Sequence, residues 1–153
     1  MFKRVLLCYD GSEAGRRALR RGAELAIALN SHASVLLILP DGVDDPYLAA
    51  GAMGTACIVD DTGGYRRMLD ESVLWLRARG VDADGYLAHG NTLDQIAAHS
   101  KRLGADLIVL GHYPRPAGGF WWWSGTQRGS LAERANCCVL VAVDNPAPPP
   151  AGA

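Results

Sequence analysis

No charge of either sign dominates this chain: 15 Lys and Arg stand against 16 Asp and Glu, a net charge of -1. A global field able to hold a nucleic-acid backbone or an anionic membrane is therefore excluded, and any phosphate recognition has to be local. Cysteine is scarce, with four residues at Cys8, Cys57, Cys137 and Cys138. None forms a CxxC pair or lies at ligand spacing from a histidine, which argues against a zinc site or a disulfide framework. Free thiols fit best, and Cys8 inside an apolar run reads as a small buried hydrophobe. Long hydrophobic runs are missing too. Met1 to Asp10 carries a basic pair and a short apolar stretch, neither a signal peptide nor a span, so a cytoplasmic location is expected. There is no P-loop, and His32, His89, His99 and His112 show no metal-ligand spacing, Ser-His-Asp set or paired carboxylates. Catalysis thus lacks sequence support, and rapid phosphoryl transfer is not expected.

What is present is an alternation. With 153 residues, 49% of them hydrophobic, the chain is long enough for one core without staples. Val5 to Tyr9 reads as a buried strand, and Asp10-Gly11-Ser12 as a turn whose Asp10 or Ser12 caps a helix, with Glu13 in its first turn. Ala18, Leu19, Gly22, Leu25, Ala26 and Leu29 form the apolar stripe of that helix, while Arg16, Arg17, Arg20 and Arg21 fit a solvated face. Asn30-Ser31-His32 breaks it, and Ser34 to Leu39 is a second strand ending at Pro40. From Asp41 to Gly64 there is no clean periodicity, only a marginal helical turn near Tyr47 to Met53. Its five aspartates follow no calcium-loop pattern and read as solvated acids.

Tyr65 to Arg79 is a second amphipathic helix stopped by Gly80, with Met68, Leu69, Val73, Trp75 and Leu76 inward. Asp84 to Ala88 is a third strand, and a third helix capped by Asn91 or Thr92 ends at Gly104, with Leu93, Ile96, Ala97 and Leu103 inward. Leu107 to Leu110 is a buried fourth strand, after which Gly111 begins a long loop rich in Gly and Trp. Ser130 to Ala135 should be a short final helix and Val139 to Val143 the fifth strand. Residues 1–144 are expected to form one domain, and 145–153 a disordered Pro-rich tail. Apolar strands alternating with amphipathic helices predict an α/β doubly wound five-stranded parallel sheet, order 3-2-1-4-5, with helices on both faces. Ligands of such sheets bind beyond the carboxyl ends of the strands where the order reverses, here between strands one and four.

Tyr9-Asp10-Gly11-Ser12, Ala105-Asp106-Leu107-Ile108-Val109-Leu110-Gly111 and Gly129-Ser130-Leu131-Ala132-Glu133 resemble the motifs of the universal stress protein family, over nearly the whole domain. Asn136-Cys137-Cys138-Val139-Leu140-Val141 is similar to the family's closing segment, with Cys138 where proline is common. The resemblance implies a cytoplasmic stress-response dimer binding ATP or another adenine nucleotide, with or without Mg²⁺, and hydrolysing it slowly at most. ATP-binding members carry Gly, two residues, Gly, nine residues, then Gly-Ser or Gly-Thr. Small residues let backbone N–H groups reach phosphate oxygens, and the hydroxyl adds a donor.

In this chain the third neighbour of Gly111 is Pro114, which has no N–H and cannot simply replace the second glycine. Nine residues do separate Gly119 from Gly129-Ser130, so the motif's second half is intact if Gly119 takes that role. The insertion carries Arg115, whose guanidinium suits a phosphate, and Arg128 is a second candidate. By resemblance, Asp10 accepts hydrogen bonds from the nucleotide beside Gly11 and Ser12. Backbone near Pro40 and Leu110-Gly111-His112 lines base or sugar, and Gly119, Gly129 and Ser130, adjoining Leu131, hold phosphates.

Phe120-Trp121-Trp122-Trp123 exposes costly aromatic surface unless it covers an adenine, the protein's own sheet edge or a second subunit; packing within the chain or a dimer is the simpler account. A homodimer through the last strand is expected, since an apolar edge pairs readily with its copy. The alternative function is a nucleotide-free member acting as a dimeric interaction module.

Overall fold

In the computed structural model, which describes residues 1–9, 13–39, 62–112 and 125–143, the elements follow the alternation read from the sequence. They are β1 (Arg4–Tyr9), α1 (Glu13–Leu29), β2 (His32–Leu39), α2 (Thr62–Arg77), β3 (Ala83–His89), α3 (Thr92–Leu103), β4 (Leu107–His112), α4 (Gly125–Ala135) and β5 (Cys138–Val143). The five strands form one parallel sheet in the order β3-β2-β1-β4-β5, as predicted. The segment around Tyr47 to Met53, the Trp121 to Trp123 run and the Pro-rich tail lie outside the described residues.

Strand alternation divides the core in two. Val5, Leu7 and Tyr9 of β1 point to one face with Val35, Leu37 and Val109, where α1 (Leu19, Ala23, Ala26) and α2 (Leu69, Val73, Leu76) cover them. Leu6 points to the other with Leu36, Ile38, Ile108 and Leu110, under Ile96 of α3 and Leu131 of α4. Both faces are apolar, so the strands read as near-continuous hydrophobic runs. Gly22 sits where α1 crosses β1: a Cβ there would come within 2.4 Å of Leu7 Cδ2.

Helix ends obey local chemistry. The Asn91 side chain accepts a hydrogen bond from the Asp94 N–H at 3.1 Å, and Gly104 closes α3 in the left-handed region with φ 63°. Gly80, with φ 81°, turns the chain after α2, which ends at Arg77 rather than Arg79. Two boundaries differ more. α4 begins at Gly125, five residues before the expected Ser130, although Gly125 and Gly129 disfavour helix. Downstream of these glycines the helix is anchored: Leu131 is fully buried against the sheet and Arg134 pairs with Asp94 of α3. β4 also runs on through Gly111 and His112, which pair with Ala142 and Val143 of β5, so Gly111 lies in the strand and does not begin the loop. A strand glycine weakens pairing without forbidding it where a partner runs alongside.

Asp106 ties the sheet together at its lower end. Its carboxylate accepts the N–H groups of Lys3 at 2.7 Å and Arg4 at 3.1 Å, and its own N–H donates to the Arg4 carbonyl at 3.0 Å. This fixes the start of β1 against β4. Asp106→Ala is expected to lower unfolding stability by about 1–2 kcal/mol, the net worth of two partly solvated hydrogen bonds. A urea midpoint unchanged from the parent would refute that role.

Candidate functional site

The sheet opens where its order reverses. β1 and β4 pair only from Val5–Leu107 to Leu7–Val109, whereas β1 runs on through Tyr9 and β4 through His112. On their other sides both strands stay paired, β1 with β2 as far as Tyr9 and β4 with β5 as far as His112. The upper ends of β1 and β4 therefore part, and those backbone groups of the Leu110 to His112 stretch that point away from β5 have no partner on β1. A crevice at the carboxyl ends of parallel strands, with unpaired main-chain donors and acceptors along one wall, is the setting in which doubly wound folds hold ligands.

Of the residues singled out from the sequence, Leu110, Gly111 and His112 stand on this wall at the end of β4. Leu110 is 3% exposed and Leu131 is fully buried, both in the second core, so their side chains form the floor beneath the gap and leave only main chain to meet a polar ligand. Cys8 packs against the same cluster. Arg128, Gly129 and Ser130 lie within α4, not at its cap. In a helix starting at Gly125 the unpaired N–H groups are those of its first turn, and the N–H of Gly129 already lies within helical reach of the Gly125 carbonyl. Asp10, Gly11, Ser12, Pro40, Arg115 and Gly119 lie outside the described residues. His89 is the last residue of β3 and His112 the last of β4. Among the described residues no group of three or more His, Cys, Asp or Glu side chains could hold a metal ion.

The thiols of Cys8 and Cys137 are electrostatically quiet. Burial pushes the Cys8 thiol far above its ordinary value of 9.0, and the neighbouring Cys137 adds to the shift. Burial likewise raises Cys137, with smaller contributions from Cys138 and Asp106. Neither supplies a thiolate nucleophile near neutral pH. Below pH 9.0 Cys8 keeps its proton in folded and unfolded chains alike; above it the unfolded chain loses the proton first. The unfolded state then binds fewer protons, so stability falls as pH rises through that range. In denaturant unfolding at pH 8 and at about pH 10.5, Cys8→Ala should lose less stability than the parent over the same interval. An identical slope in both would contradict the burial of this thiol.

What the sequence did not disclose is the parting of β1 from β4. Periodicity marks strand extent but not where a ladder stops, and the signal that pointed to it was only the clustering of polar and glycine motifs after strands one and four. Among the described residues, no helix is long and apolar enough to cross a membrane.

Comparison with known proteins gives this geometry its family. A structure from the universal stress protein family of Burkholderia pseudomallei shares 21% identity, with a TM-score of 0.64 over 92% of this chain and 96% of that one. A universal stress protein solved in complex with cAMP is 21% identical, TM-score 0.62, over 92% and 97% of the two chains. The universal stress protein of Archaeoglobus fulgidus in complex with dAMP is 18% identical, TM-score 0.53, again over 92% and 97%. At these identities the likeness is one of fold. No curated protein matches the chain by sequence. The model of the universal stress protein family, however, matches residues 1–143, and on that match the chain belongs to the universal stress protein family.

Proposed function

We propose that this protein binds an adenine nucleotide in the crevice between the upper ends of β1 and β4, as a regulatory protein of the stress response. The observation that carries the reading is the early end of the β1–β4 ladder after Leu7–Val109, which leaves the main-chain groups on the β1 side of Leu110 to His112 without a partner on β1, beside an apolar core. Such a floor and wall suit a planar base, with polar backbone groups fixing its edge. The structures in complex with cAMP and dAMP support the ligand class. In the proposed site Asp10 accepts hydrogen bonds from the sugar or base, beside Gly11, Ser12 and Pro40. Phosphates face the first turn of α4, Gly119, Gly129 and Ser130, with Arg115 and Arg128 as counter-charges. ATP with Mg²⁺, ADP and AMP are the candidates, and a cytoplasmic location is part of the same proposal.

The test is calorimetric titration of nucleotide-stripped protein with ATP and Mg²⁺, repeated with AMP and with a Gly129→Asp, Ser130→Ala double variant. Micromolar binding is expected, and the variant should lose it, because a carboxylate early in α4 repels phosphate where the helix dipole attracts it. An absence of heat and of thermal stabilisation at ligand levels well above about 1 mM would overturn the proposal.

One observation favours a second reading, that of a nucleotide-free dimeric interaction module. β5 is an edge strand, and Leu140 within it is 39% exposed. A parallel sheet edge with an exposed leucine can be covered by a second copy. Under that reading Leu140→Lys yields a monomer by sedimentation, whereas a parent that is itself monomeric would refute it.

A further inference from the structure

α1 and α2 lie over the same face of the sheet, and a cleft of about 200 Å³ opens between them. This is smaller than the roughly 300–1,000 Å³ of pockets for drug-sized molecules and suits a compound of about one ring. Two guanidinium groups of α1, those of Arg16 and Arg20, border it against one carboxylate, that of Glu71 on α2, so positive charge prevails. Arg16 has contacts of its own, whereas Arg20 and Glu71 form no ion pair with each other or with any other described residue. Tyr9, the last residue of β1, lies at the floor and is only 3% exposed. Its hydroxyl makes no hydrogen bond with any described residue. Since no fully buried side-chain polar atom among them lacks a partner, that hydroxyl opens onto the cleft. The other hydroxyl there is committed, because Ser72 donates to the Met68 carbonyl at 2.8 Å. A nearly buried phenol with its donor unused, in a cleft of positive charge, is suited to donate to an anion.

The apolar side is already in place. Leu19 of α1 and Met68 and Trp75 of α2 line the same cleft. Arg79 stacks on Trp75 with its guanidinium carbon 3.7 Å from the ring centroid and donates to the Trp75 carbonyl at 3.1 Å, so the indole is held before any ligand arrives. A cation drawn to Glu71 would meet two arginines, and a free inorganic anion would leave the three apolar side chains uncovered. We infer that the α1–α2 cleft is a binding site for a small carboxylate with an aromatic or branched apolar body. Its carboxylate would accept hydrogen bonds from Arg20 and the Tyr9 hydroxyl, two donors with no other described partner, and the four lone-pair sites of a carboxylate accommodate both. Arg16 adds its charge alone. The ring or branched chain would lie against Leu19, Met68 and Trp75, while Glu71 opposes the anion and so confines the ligand to a single negative charge. The site lies on the face of the sheet opposite Leu110 and Leu131, so it stands independently of the proposed nucleotide crevice.

The experiment is a titration of the isotope-labelled full chain, followed by NMR, with 3-phenylpropanoate, phenethylamine and inorganic phosphate, with and without ATP. 3-Phenylpropanoate should shift the Trp75 indole signal and the amides of Tyr9, Leu19 and Arg20 saturably, with a Kd of about 1 mM or tighter. Phenethylamine, of the same body and opposite charge, should bind at least about tenfold more weakly, and so should 3-phenylpropanoate to Arg20→Gln and to Tyr9→Phe. Glu71→Gln should instead tighten 3-phenylpropanoate by about twofold to threefold, since it removes a like charge. Arg20 and Glu71 are exposed and Tyr9→Phe keeps its ring in the core, so amide signals away from the cleft should keep their positions in all three variants. No saturable shift at about 10 mM 3-phenylpropanoate overturns the site. Equal binding of phenethylamine, or weaker binding of 3-phenylpropanoate to Glu71→Gln, overturns the anionic assignment. Phosphate binding as tightly as 3-phenylpropanoate at the same amides overturns the role of the apolar wall. Displacement of 3-phenylpropanoate by ATP would overturn the independence of the two sites.

Discussion

Gly22→Val is expected to cost about 3 kcal/mol or more of folding stability, enough to move a large share of a marginal domain toward the unfolded state. The cause is the 2.4 Å that would separate a Cβ at position 22 from Leu7 Cδ2. No pair of non-bonded carbons tolerates that distance, and Leu7, 1% exposed in the middle of the first core, can move aside only by displacing the side chains packed around it. α1 must then lift from β1, which separates Leu19, Ala23 and Ala26 from the sheet. Valine is a better helix former than glycine by a few tenths of a kcal/mol, which offsets little of this. The check is a thermodynamic cycle by chemical denaturation with the milder Gly22→Ala. Leu7→Ala alone should cost about 2–5 kcal/mol through the cavity it leaves. The double variant should cost at least about 1 kcal/mol less than the two single changes added together, because the methyl group at 22 occupies part of the vacated volume. Strict additivity would mean that the contact does not limit the approach of α1 to β1.

This glycine also illustrates what was legible in the sequence. Gly22 fell on the apolar stripe with Ala18, Leu19 and Ala26, and the structure places all four inward. Period 3.6 identified the face but not the reason for a residue without a side chain, which is the close crossing over Leu7. Strand order was legible for a related reason: strands apolar on both faces, alternating with helices, leave few topologies under right-handed crossovers. Strand and helix ends were less so. At Gly111 the expectation of a loop failed because pairing with Ala142 of β5 carries the strand onward. At α4 the expected start at Ser130 was five residues late, since the helix runs from Gly125 through Gly129 before reaching the residues that anchor it, Leu131 and Arg134. The strand miss has a clear cause, a contact between segments distant in sequence overruling a local preference.

The crevice was legible as a location and not as a geometry. Motif position pointed to the carboxyl ends of strands one and four, and that is where the ladder stops. Asp106, quoted only as part of a family motif, proved to hold the start of β1, a contact between residues about a hundred positions apart in sequence. The four arginines of α1 read as a solvated face; two of them, Arg16 and Arg20, border the α1–α2 cleft, which depends on how α2 sits beside α1.

Leu131→Ala separates packing from ligand contact at the same position. Leu131 adjoins Ser130 in the family motif, yet it is fully buried with Leu6, Ile108 and Leu110 beneath α4. Truncation removes three carbons from a dense core, and the expected loss is about 2–5 kcal/mol. For a chain of this length that corresponds to a drop in Tm of about 2–4 °C for each kcal/mol. Ser130 is partly exposed, so Ser130→Ala should leave the Tm within about 1–2 °C of the parent, the usual result of a change outside the core. Nucleotide titration at a temperature where both variants are folded then divides the roles. If Leu131 is only the floor under the crevice, its variant binds close to the parent affinity per folded molecule while Ser130→Ala weakens binding. If instead Leu131→Ala abolishes binding and spares the Tm, the leucine touches the ligand directly and does not anchor α4. The two side chains lie one residue apart, but helical geometry turns them about 100° from each other, so a single step along α4 separates the residue that holds the helix down from the one free to meet a ligand.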